Sequence, residues 1–169
     1  MLVVCAAYFG IVALIGKATP GGGSGQTVQV NGKTVGYSNI GQKFTDDKYF
    51  WGRPSAVDYN AGSSAGSNKA TSNPDYLKTV QDRVDSFIAH NSGITKEQIP
   101  AEMVTASGSG LDPDISPASA YIQVKRIARI RNIDPAKLIS LIDQHIEKGM
   151  LGPDKINVLK LNISLDDIK

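Results

Sequence analysis

The chain has 169 residues, of which 41% are hydrophobic and 20% are charged, and its formal net charge is +2. This length fits one domain of ordinary size with a small appendage, and the hydrophobic fraction is too high for a disordered chain. The small net charge, without interleaved basic and aromatic residues, gives no basis for nucleic-acid binding. The single cysteine, Cys5, excludes an internal disulfide and a cysteine-rich zinc site, and the only histidines are His90 and His145.

The N-terminal run carries no charge from Met1 to Gly16. As a helix it would be about 24 Å long at about 1.5 Å per residue, shorter than the roughly 30 Å core of a bilayer. A buried core helix or the apolar region of a signal peptide would also fit, but no basic segment precedes the run and a glycine-rich stretch, residues 20–25, follows it. We therefore predict a membrane anchor over residues 1–17, short or trimmed at its start, and a flexible linker over residues 18–26.

Residues 27–37 predict a β-hairpin. Two β-rich runs flank Asn31-Gly32, a dipeptide that suits a type I′ turn because both central residues need positive φ. The residues that follow, 38–44, are predicted to be a short connector.

A rare aromatic motif comes next. Three consecutive aromatic residues, Tyr49, Phe50 and Trp51, precede a Gly-Arg-Pro sequence that contains Arg53. Arg53 can stack on an aromatic ring or bind a carboxylate or phosphate. Alternatively, an aromatic side chain anchors the segment in the core and Arg53 pairs with an aspartate of the same domain. Both interpretations stay open, because aromatic–arginine clusters serve packing and partner binding alike.

A long loop rich in Gly, Ser and Asn, residues 57–73, leads to a predicted helix from Pro74 to about His90. Asn73 is a suitable N-cap, Pro74 suits the first helical position, and the apolar residues recur at helical spacing. His90 then falls at the C-terminal end, where the helix dipole favours a cation, so a capping role is predicted rather than a ligand role.

The loop Val104–Pro117 is polar and has no helical or strand periodicity. It contains Ser107, Ser109, Asp112 and Asp114, between segments whose pattern predicts core elements. By itself it fits an anion-cradling loop, a cation site or a rigid structural turn. The lysine of a phosphate-binding loop is missing, and the spacing of the acids does not fit a calcium loop. We therefore predict no metal site.

The alternative function is that of an anchored or secreted serine hydrolase. Its nucleophile would be Ser107 or Ser109, and its base would have to be His90 or His145, none of which lies in a hydrolase motif. This is the alternative to the function inferred below, which assigns the chain no catalytic residue.

The C-terminal third predicts two helices and a strand. The first helix runs from Pro117 to about Arg131, the second from Pro135 to Gly149, and alternation over Ile156–Leu165 predicts a strand that could pair with the hairpin. His145 is predicted on the second helix, at the surface or at the boundary of the core. The basic residues of the first helix predict a solvated face rather than a docking surface for an acidic partner; they are Lys125, Arg126, Arg129 and Arg131. Together these elements predict an α+β domain over residues 27–169, with helices covering one face of a small antiparallel sheet.

Two longer motifs and several short segments occur in an informative order. The longer ones are Tyr49–Ala56 (YFWGRPSA) and Val104–Pro113 (VTASGSGLDP). The shorter ones are Gly41–Phe44, Gly66–Asn68, Thr71–Pro74, Ile115–Ala118, Gln123–Arg126 and Asn157–Asn162. Together they resemble the C subunit of the Kdp potassium-transporting P-type ATPase. The match extends over almost all of residues 27–166, so it is far more specific than any short motif.

The resemblance implies a single transmembrane helix in the bacterial inner membrane and an extracytoplasmic soluble domain. It implies assembly with a channel-like potassium-translocating subunit, a P-type ATPase subunit and a small single-helix subunit. In this family the C subunit is held to stabilise the complex and to act as a catalytic chaperone that raises the ATP affinity of the pump subunit. ATP is then bound with the pump subunit, potassium is the transported ion, and the present chain is expected not to be an enzyme.

This placement separates the chain from the nucleotide. The resemblance implies that ATP lies on the cytoplasmic pump domain, out of reach of Ser107 and Gln123. Any effect on ATP affinity would then travel through the anchor and the partner subunits as a coupling free energy. We predict that the two motifs instead form a surface against the channel-like subunit; its candidate residues are Tyr49, Phe50, Trp51, Arg53, Ser107, Ser109, Asp112 and Asp114. A third hypothesis holds that the loops only order the fold and that the anchor makes the partner contacts.

Overall fold

The computed structural model describes residues 1–168, which fall into two compact units, Met1–Asn39 and a larger unit that begins at Ile40. Both contain helix and strand, so the predicted α+β class is confirmed. The predicted single sheet is wrong, because the strands form two separate two-stranded antiparallel sheets.

The small unit begins with α1 (Leu2–Ala18), a helix of 17 residues in which no residue is buried. It corresponds to the predicted anchor, so the helix is confirmed. Within residues 1–168, no helix combines the length and the apolar character that a membrane span requires. The predicted span is therefore not confirmed.

The hairpin of the small unit is as predicted. Strand β1 (Thr27–Val30) pairs antiparallel with β2 (Lys33–Tyr37), and a bulge shifts the register after Val28. Asn31 and Gly32 have φ of 52° and 78°, the positive values that a type I′ turn requires at both central residues.

Over residues 40–168, the larger unit contains five α-helices and one short sheet. Its elements, in order, are α2 (Pro74–His90), β3 (Asp114–Ile115), α3 (Pro117–Tyr121), α4 (Val124–Arg131), α5 (Pro135–Gln144), β4 (Ile156–Asn157) and α6 (Val158–Asp166), with 3₁₀ turns at Lys96–Gln98 and Ala101–Met103. Three helices begin at a polar cap followed by proline, as predicted: Asn73, Ser116 and Asp134 each accept a hydrogen bond from a backbone N–H of the first turn.

The predicted strand Ile156–Leu165 is wrong for most of its length. Only two residues, Ile156 and Asn157, pair with a strand, and that strand is β3 rather than the hairpin. From Val158 onward the chain is helical, because the Asn157 side chain caps the backbone N–H of Lys160 at 3.1 Å. The apolar residues of α6 fit helical spacing as well as alternation, and burial on one helix face decides between them.

The two helices predicted before this segment also differ from the structure. The first is split into α3 and α4 around Gln123, whose side chain is hydrogen-bonded to the backbone of Trp51. The second ends at Gln144 instead of Gly149. Residues 147–155 instead form a loop whose ends, Glu147 and Lys155, exchange two backbone hydrogen bonds of 2.8 and 3.1 Å.

Helix α5 contacts α3, α4 and α6, and the core of the larger unit forms among these elements. Its fully buried apolar side chains include Phe50, Ile127, Leu138, Ile142, Ile156, Leu161 and Leu165. The aromatic motif therefore enters the core of this unit, and the site below is built around it.

Candidate partner-binding surface

Two buried side-chain amides hold the backbone of the aromatic motif. Gln123 accepts a hydrogen bond from the N–H of Trp51 at 2.8 Å and donates to the carbonyl of Trp51 at 3.2 Å. Asn162 does the same for Phe50, at 2.8 and 2.9 Å. Each amide thus pairs with both the backbone N–H and the backbone carbonyl of one residue, as a neighbouring β-strand would.

A buried arginine completes this arrangement. Arg126 is only 2% exposed, and its guanidinium lies 4.4 Å from the ring centroid of Trp51. It donates to Asn91 Oδ1 at 3.0 Å, to Gln123 Oε1 at 2.7 Å and to the carbonyl of Asp47. Burial lowers the pKa of Arg126 to about 10, which still leaves it charged at neutral pH. We call Gln123, Arg126 and Asn162 the clasp.

The clasp includes a residue that the sequence analysis had placed at the surface. Arg126 was predicted to belong to a solvated basic face, and this is wrong for that residue. Lys125 and Arg129 are exposed as predicted, while Arg131 is half-buried. The Arg131 guanidinium lies 4.9 Å from the ring centroid of Tyr49 and binds Asp166 at 2.6 Å.

The histidines take part in similar local contacts. His90 lies in the last turn of α2, as predicted, but its Nδ1 contacts Asp47 at 2.8 Å instead of capping the backbone, and Asn91 bonds to the carbonyl of Phe87. His145 is half-buried; it contacts the carbonyl of Leu141 at 2.8 Å and Ser164 Oγ at 2.9 Å. The second contact ties α5 to α6.

The two sequence motifs meet in the structure. Arg53 donates to Asp112 at 2.9 Å, the pairing with a domain aspartate that was one of the two interpretations of this arginine. The backbone N–H of Ser107 donates to the carbonyl of Pro54 at 3.1 Å. Ser55 Oγ donates to the carbonyl of Gly110 at 2.6 Å. The motifs are therefore one structural feature joined by side-chain and backbone contacts.

Gly110 is required where the motifs meet. Its φ is +68°, and a Cβ there would lie 2.6 Å from a methyl of Val57 and 2.7 Å from the carbonyl oxygen of Ala65. A nearby phenol, Tyr59, donates to the carbonyl of Arg53. Burial, and next the charge of Asp112, raise the pKa of Tyr59 to about 12, so it stays a neutral donor.

The carboxylates in and next to the second motif have protein partners. Asp112 accepts from Arg53 and from the backbone N–H of Asp114, the latter at 3.0 Å. Asp114 accepts from Lys155 at 2.7 Å, and this hydrogen bond raises the pKa of Lys155. Glu102 accepts from the backbone N–H of Ser116 at 2.8 Å.

Three of the predicted candidates and the loop 147–155 line one open groove. The groove has a volume of about 570 Å³, and its lining includes Arg53, Asp112 and Asp114 together with Gly149 and Asp154. We call it the Arg53 groove. The other candidates divide by exposure: Phe50 and Ser107 are buried at 0% and 3% exposure, Tyr49 and Trp51 are half-buried, and Ser109 is exposed.

The geometry that a serine hydrolase needs is not formed. Ser107 is buried, and Ser109 Oγ accepts from the backbone N–H of Leu111 at 3.1 Å. Within residues 1–168, neither hydroxyl is hydrogen-bonded to His90 or His145. A triad requires a base within hydrogen-bond reach of its nucleophile.

Sequence reasoning missed the clasp. Gln123 and Arg126 are three residues apart and therefore share a helix face, which is a pattern visible in the sequence. Their partners lie far away in the chain, however: Trp51 is 72 residues from Gln123, and Phe50 is 112 residues from Asn162. No local pattern indicates contacts of that separation.

Comparisons with a family model and with individual proteins all point to the same family. Residues 1–167 match the family described as "KdpC: K+-transporting ATPase, c chain". A protein of Flavobacterium johnsoniae named "Potassium-transporting ATPase KdpC subunit" is 57% identical over 155 residues, covering 92% of this chain and 85% of its own. A protein of the same name from Flavobacterium psychrophilum is 53% identical over 172 residues, covering 100% and 94%, and one from Bacteroides fragilis is 52% identical over 157 residues, covering 90% and 82%.

With both motifs joined around one surface and a family match over nearly its full length, the chain falls into the class of potassium-transporting ATPase subunits. Within that class, it belongs to the KdpC family. The family resemblance inferred from the sequence motifs is confirmed.

Proposed function

We propose that the chain is a non-catalytic accessory subunit of an ATP-driven potassium-uptake complex. It would assemble with a channel-like potassium-translocating subunit, a P-type ATPase subunit and a small single-helix subunit. The observation that carries this proposal is the family match over residues 1–167. The absence of a nucleotide-hydrolysis motif from the sequence is consistent with a subunit that leaves ATP hydrolysis to a partner.

The proposed role is to stabilise the complex and to act as a catalytic chaperone that raises the ATP affinity of the pump subunit. An extracytoplasmic domain would have no direct access to cytoplasmic ATP. Its influence on ATP affinity would therefore be a coupling free energy, transmitted through the anchor and the partner subunits. By reciprocity, ATP binding to the pump would tighten the association of this subunit by the same factor.

We further propose that α1 anchors the chain in the bacterial cell membrane as a single pass, with the larger unit on the extracytoplasmic side. The charge-free run Met1–Gly16 supports this, as does the exposure of every large apolar side chain on α1. An isolated apolar helix without a buried face needs either lipid or a partner to cover it.

The Arg53 groove and the half-buried rings of Tyr49 and Trp51 are the proposed contact residues for the channel-like subunit. Arg53, Asp112 and Asp114 provide polar contacts, while Tyr49 and Trp51 provide aromatic area of the kind that dominates binding interfaces. Phe50 and Ser107 are buried, so their proposed part is to shape this surface. Ser109 is exposed and lies in the loop Val104–Pro117, which also contains Ser107 and Asp112.

The test is affinity purification of the full-length anchored chain from membranes that contain the other subunits, followed by identification of the proteins that accompany it. We expect the potassium-translocating and ATP-hydrolysing subunits to co-purify. We also expect Arg53→Ala and Asp112→Ala to weaken assembly or the potassium affinity of the complex, while Trp51 fluorescence shows that each variant is folded.

Asp58→Ala is the matched control. It removes an ion pair with Lys43 whose side chains are 55% and 77% exposed and which does not line the Arg53 groove. Normal assembly and transport by both Arg53→Ala and Asp112→Ala would contradict the proposed surface. Purification of the chain without any ATPase subunit would contradict the proposed function itself.

A further inference from the structure

Two loops rich in small residues meet at an open pocket on the larger unit. Residues 66–70 of the loop 57–73 line one side of it, and residues 106–108 line the other. The pocket has a volume of about 530 Å³, and it shares no lining residue with the Arg53 groove. We call it the Ser107 pocket.

The fold holds the two loops in contact. A Cβ on Gly66 would lie 3.0 Å from the carbonyl oxygen of Gly108, so a side chain at position 66 would crowd the contact. Ser64 Oγ donates to the carbonyl of Ser109 at 3.0 Å. A Cβ on Gly108, by contrast, would meet no atom within 4 Å, so the backbone there is open to an approaching group. Both walls of the pocket are therefore in place before any ligand binds.

A buried hydroxyl in this pocket has no protein partner. Ser107 is 3% exposed, and its backbone N–H donates to the carbonyl of Pro54 at 3.1 Å. Within residues 1–168 its Oγ makes no hydrogen bond, although the residue lines the pocket. Nearly all buried polar groups have a hydrogen-bond partner, either in the protein or outside it. The Ser107 hydroxyl is therefore available to a ligand in the pocket.

The other lining groups are donors of the kind that bind an anion. Lys69 has the only charged side chain among the lining residues, and in the described part of the chain it forms no ion pair. Over the same residues, the Ser67 hydroxyl, the Asn68 amide and the backbone N–H of Gly108 make no hydrogen bond. An ammonium group, hydroxyls and N–H groups without a carboxylate favour an anion over a metal cation.

We propose that Lys69, Ser107 and the backbone of Gly108 bind a phosphate group in the Ser107 pocket. The ligand is the free ion or the headgroup of a phospholipid, since both present phosphate oxygens. A phosphate group has more acceptor oxygens than a carboxylate and therefore matches the larger set of donors found here. Glycine-rich loops bind phosphate in this way, through backbone N–H groups and a lysine. The loop Val104–Pro117 has no lysine of its own, and Lys69 of the facing loop supplies one.

The first experiment is a titration of the full-length chain with inorganic phosphate, followed by NMR of the backbone amides. It is carried out in a chloride buffer of constant ionic strength with a non-ionic detergent. We expect saturable shifts of the amide signals of Gly66, Asn68 and Gly108. Ser107→Ala and Lys69→Gln should each raise the dissociation constant about 10-fold or more, because each removes a hydrogen bond to a charged group.

Two controls separate binding from folding. Without phosphate, Ser107→Ala should keep the thermal unfolding midpoint of the unmodified chain, because the lost hydroxyl has no partner within residues 1–168. Lys78→Gln is the matched control for Lys69→Gln, since Lys78 is an exposed lysine outside the pocket, and it should leave the dissociation constant unchanged. Equal dissociation constants for the unmodified chain and both pocket variants would overturn the proposal.

A second titration identifies the source of the phosphate group. Mixed micelles of the same detergent contain either phosphatidylglycerol or, as the control without net charge, phosphatidylcholine. If the Gly108 amide shifts at a lower concentration of phosphatidylglycerol than of inorganic phosphate, the ligand is a lipid headgroup; the reverse order assigns the free ion. A Gly108 amide that responds to neither of them overturns the proposal. These measurements need no other subunit, so their outcome is independent of the proposed assembly.

Discussion

The segment Tyr49–Trp51 and the loop 147–155 are both held by polar side chains, but in opposite surroundings. Around the first, the clasp residues are between 0% and 2% exposed. Around the second, the ion pair Lys148–Asp154 has side chains that are 79% and 35% exposed. Polar side chains therefore hold both segments, but they are buried around the first and exposed to water around the second.

The difference in solvation decides how much each segment contributes to the stability of the fold. An exposed ion pair contributes about 0 to 1 kcal/mol, because water competes for both partners. A buried polar group that loses its partner costs about 1 to 3 kcal/mol, because nothing replaces the lost bond. Changes in the clasp should therefore be seen as lost stability, whereas changes in the exposed loop 147–155 should leave the stability nearly unchanged.

The largest expected effect is that of Arg126→Ala. It removes the donor from Asn91, Gln123 and the carbonyl of Asp47 and leaves Trp51 without its stacked cation. We expect the free energy of unfolding to fall by about 3 kcal/mol, because Asn91 Oδ1 and the carbonyl of Asp47 each lose a donor, at about 1 to 3 kcal/mol each, while Gln123 Oε1 keeps the N–H of Trp51. Urea unfolding of the full chain, followed by circular dichroism and by the fluorescence of Trp51, measures it.

Arg126→Lys sharpens this prediction. An ammonium group keeps the charge but cannot reach all the acceptors of a planar guanidinium, so an intermediate loss is expected. Arg129→Ala is the control, since Arg129 is an exposed arginine on the same helix, with a side-chain hydrogen bond of 3.2 Å to Ser92. A loss for Arg126→Ala no larger than that for Arg129→Ala would show that the clasp does not stabilise the larger unit.

The second-largest loss of stability is expected for Asn162→Leu. The leucine keeps the buried volume roughly constant but leaves the N–H and the carbonyl of Phe50 without partners. We expect a loss of about 2 kcal/mol, measured by the same unfolding experiment. The exposed Asn60→Leu variant controls for the change of residue type. An unchanged midpoint for Asn162→Leu would mean that the Phe50 backbone finds water or another partner.

The contrast between the two segments also explains what could be predicted from the sequence. The starts of α2, α3 and α5 were predictable because a cap and a following proline act within one turn. The hairpin was predictable for the same reason, since Asn31-Gly32 determines its own turn. These features depend on contacts between residues that are close in the chain.

The secondary-structure predictions that were wrong concern segments whose conformation is decided by contacts between residues far apart in the chain. Helix α6 was taken for a strand because its apolar residues satisfy both periods, and the deciding burial involves Asn162 and a residue 112 positions away. The division between α3 and α4 follows from the commitment of Gln123 to Trp51, 72 positions away. The association of the two motifs was anticipated only through the family resemblance, whereas the pairing of Arg53 with an aspartate was among the possibilities considered from the residues.

The smallest expected effect is the pH dependence of stability that comes from Glu102. This residue is half-buried, so its solvation lies between that of the buried clasp and that of the exposed pair Lys148–Asp154. Burial alone would raise its pKa, but hydrogen bonds from Ser119 and Ser116 outweigh burial and lower it. A carboxylate whose pKa is lowered in the folded state stabilises that state above its unfolded pKa of about 4.3. This contribution is lost as the pH falls from about 4.3 through the lower folded pKa.

Glu102→Gln isolates this contribution, because glutamine resembles the protonated carboxyl group in shape and carries no charge. We expect the unmodified chain to be more stable than the variant at pH 7 and the two stabilities to converge as the pH falls below about 4. Urea unfolding of both chains at a series of pH values gives the difference, in which the titration of the other carboxylates cancels. A constant difference across the whole pH range would show that Glu102 acts through its shape and hydrogen bonds alone, and that its charge has no part in holding the start of α3.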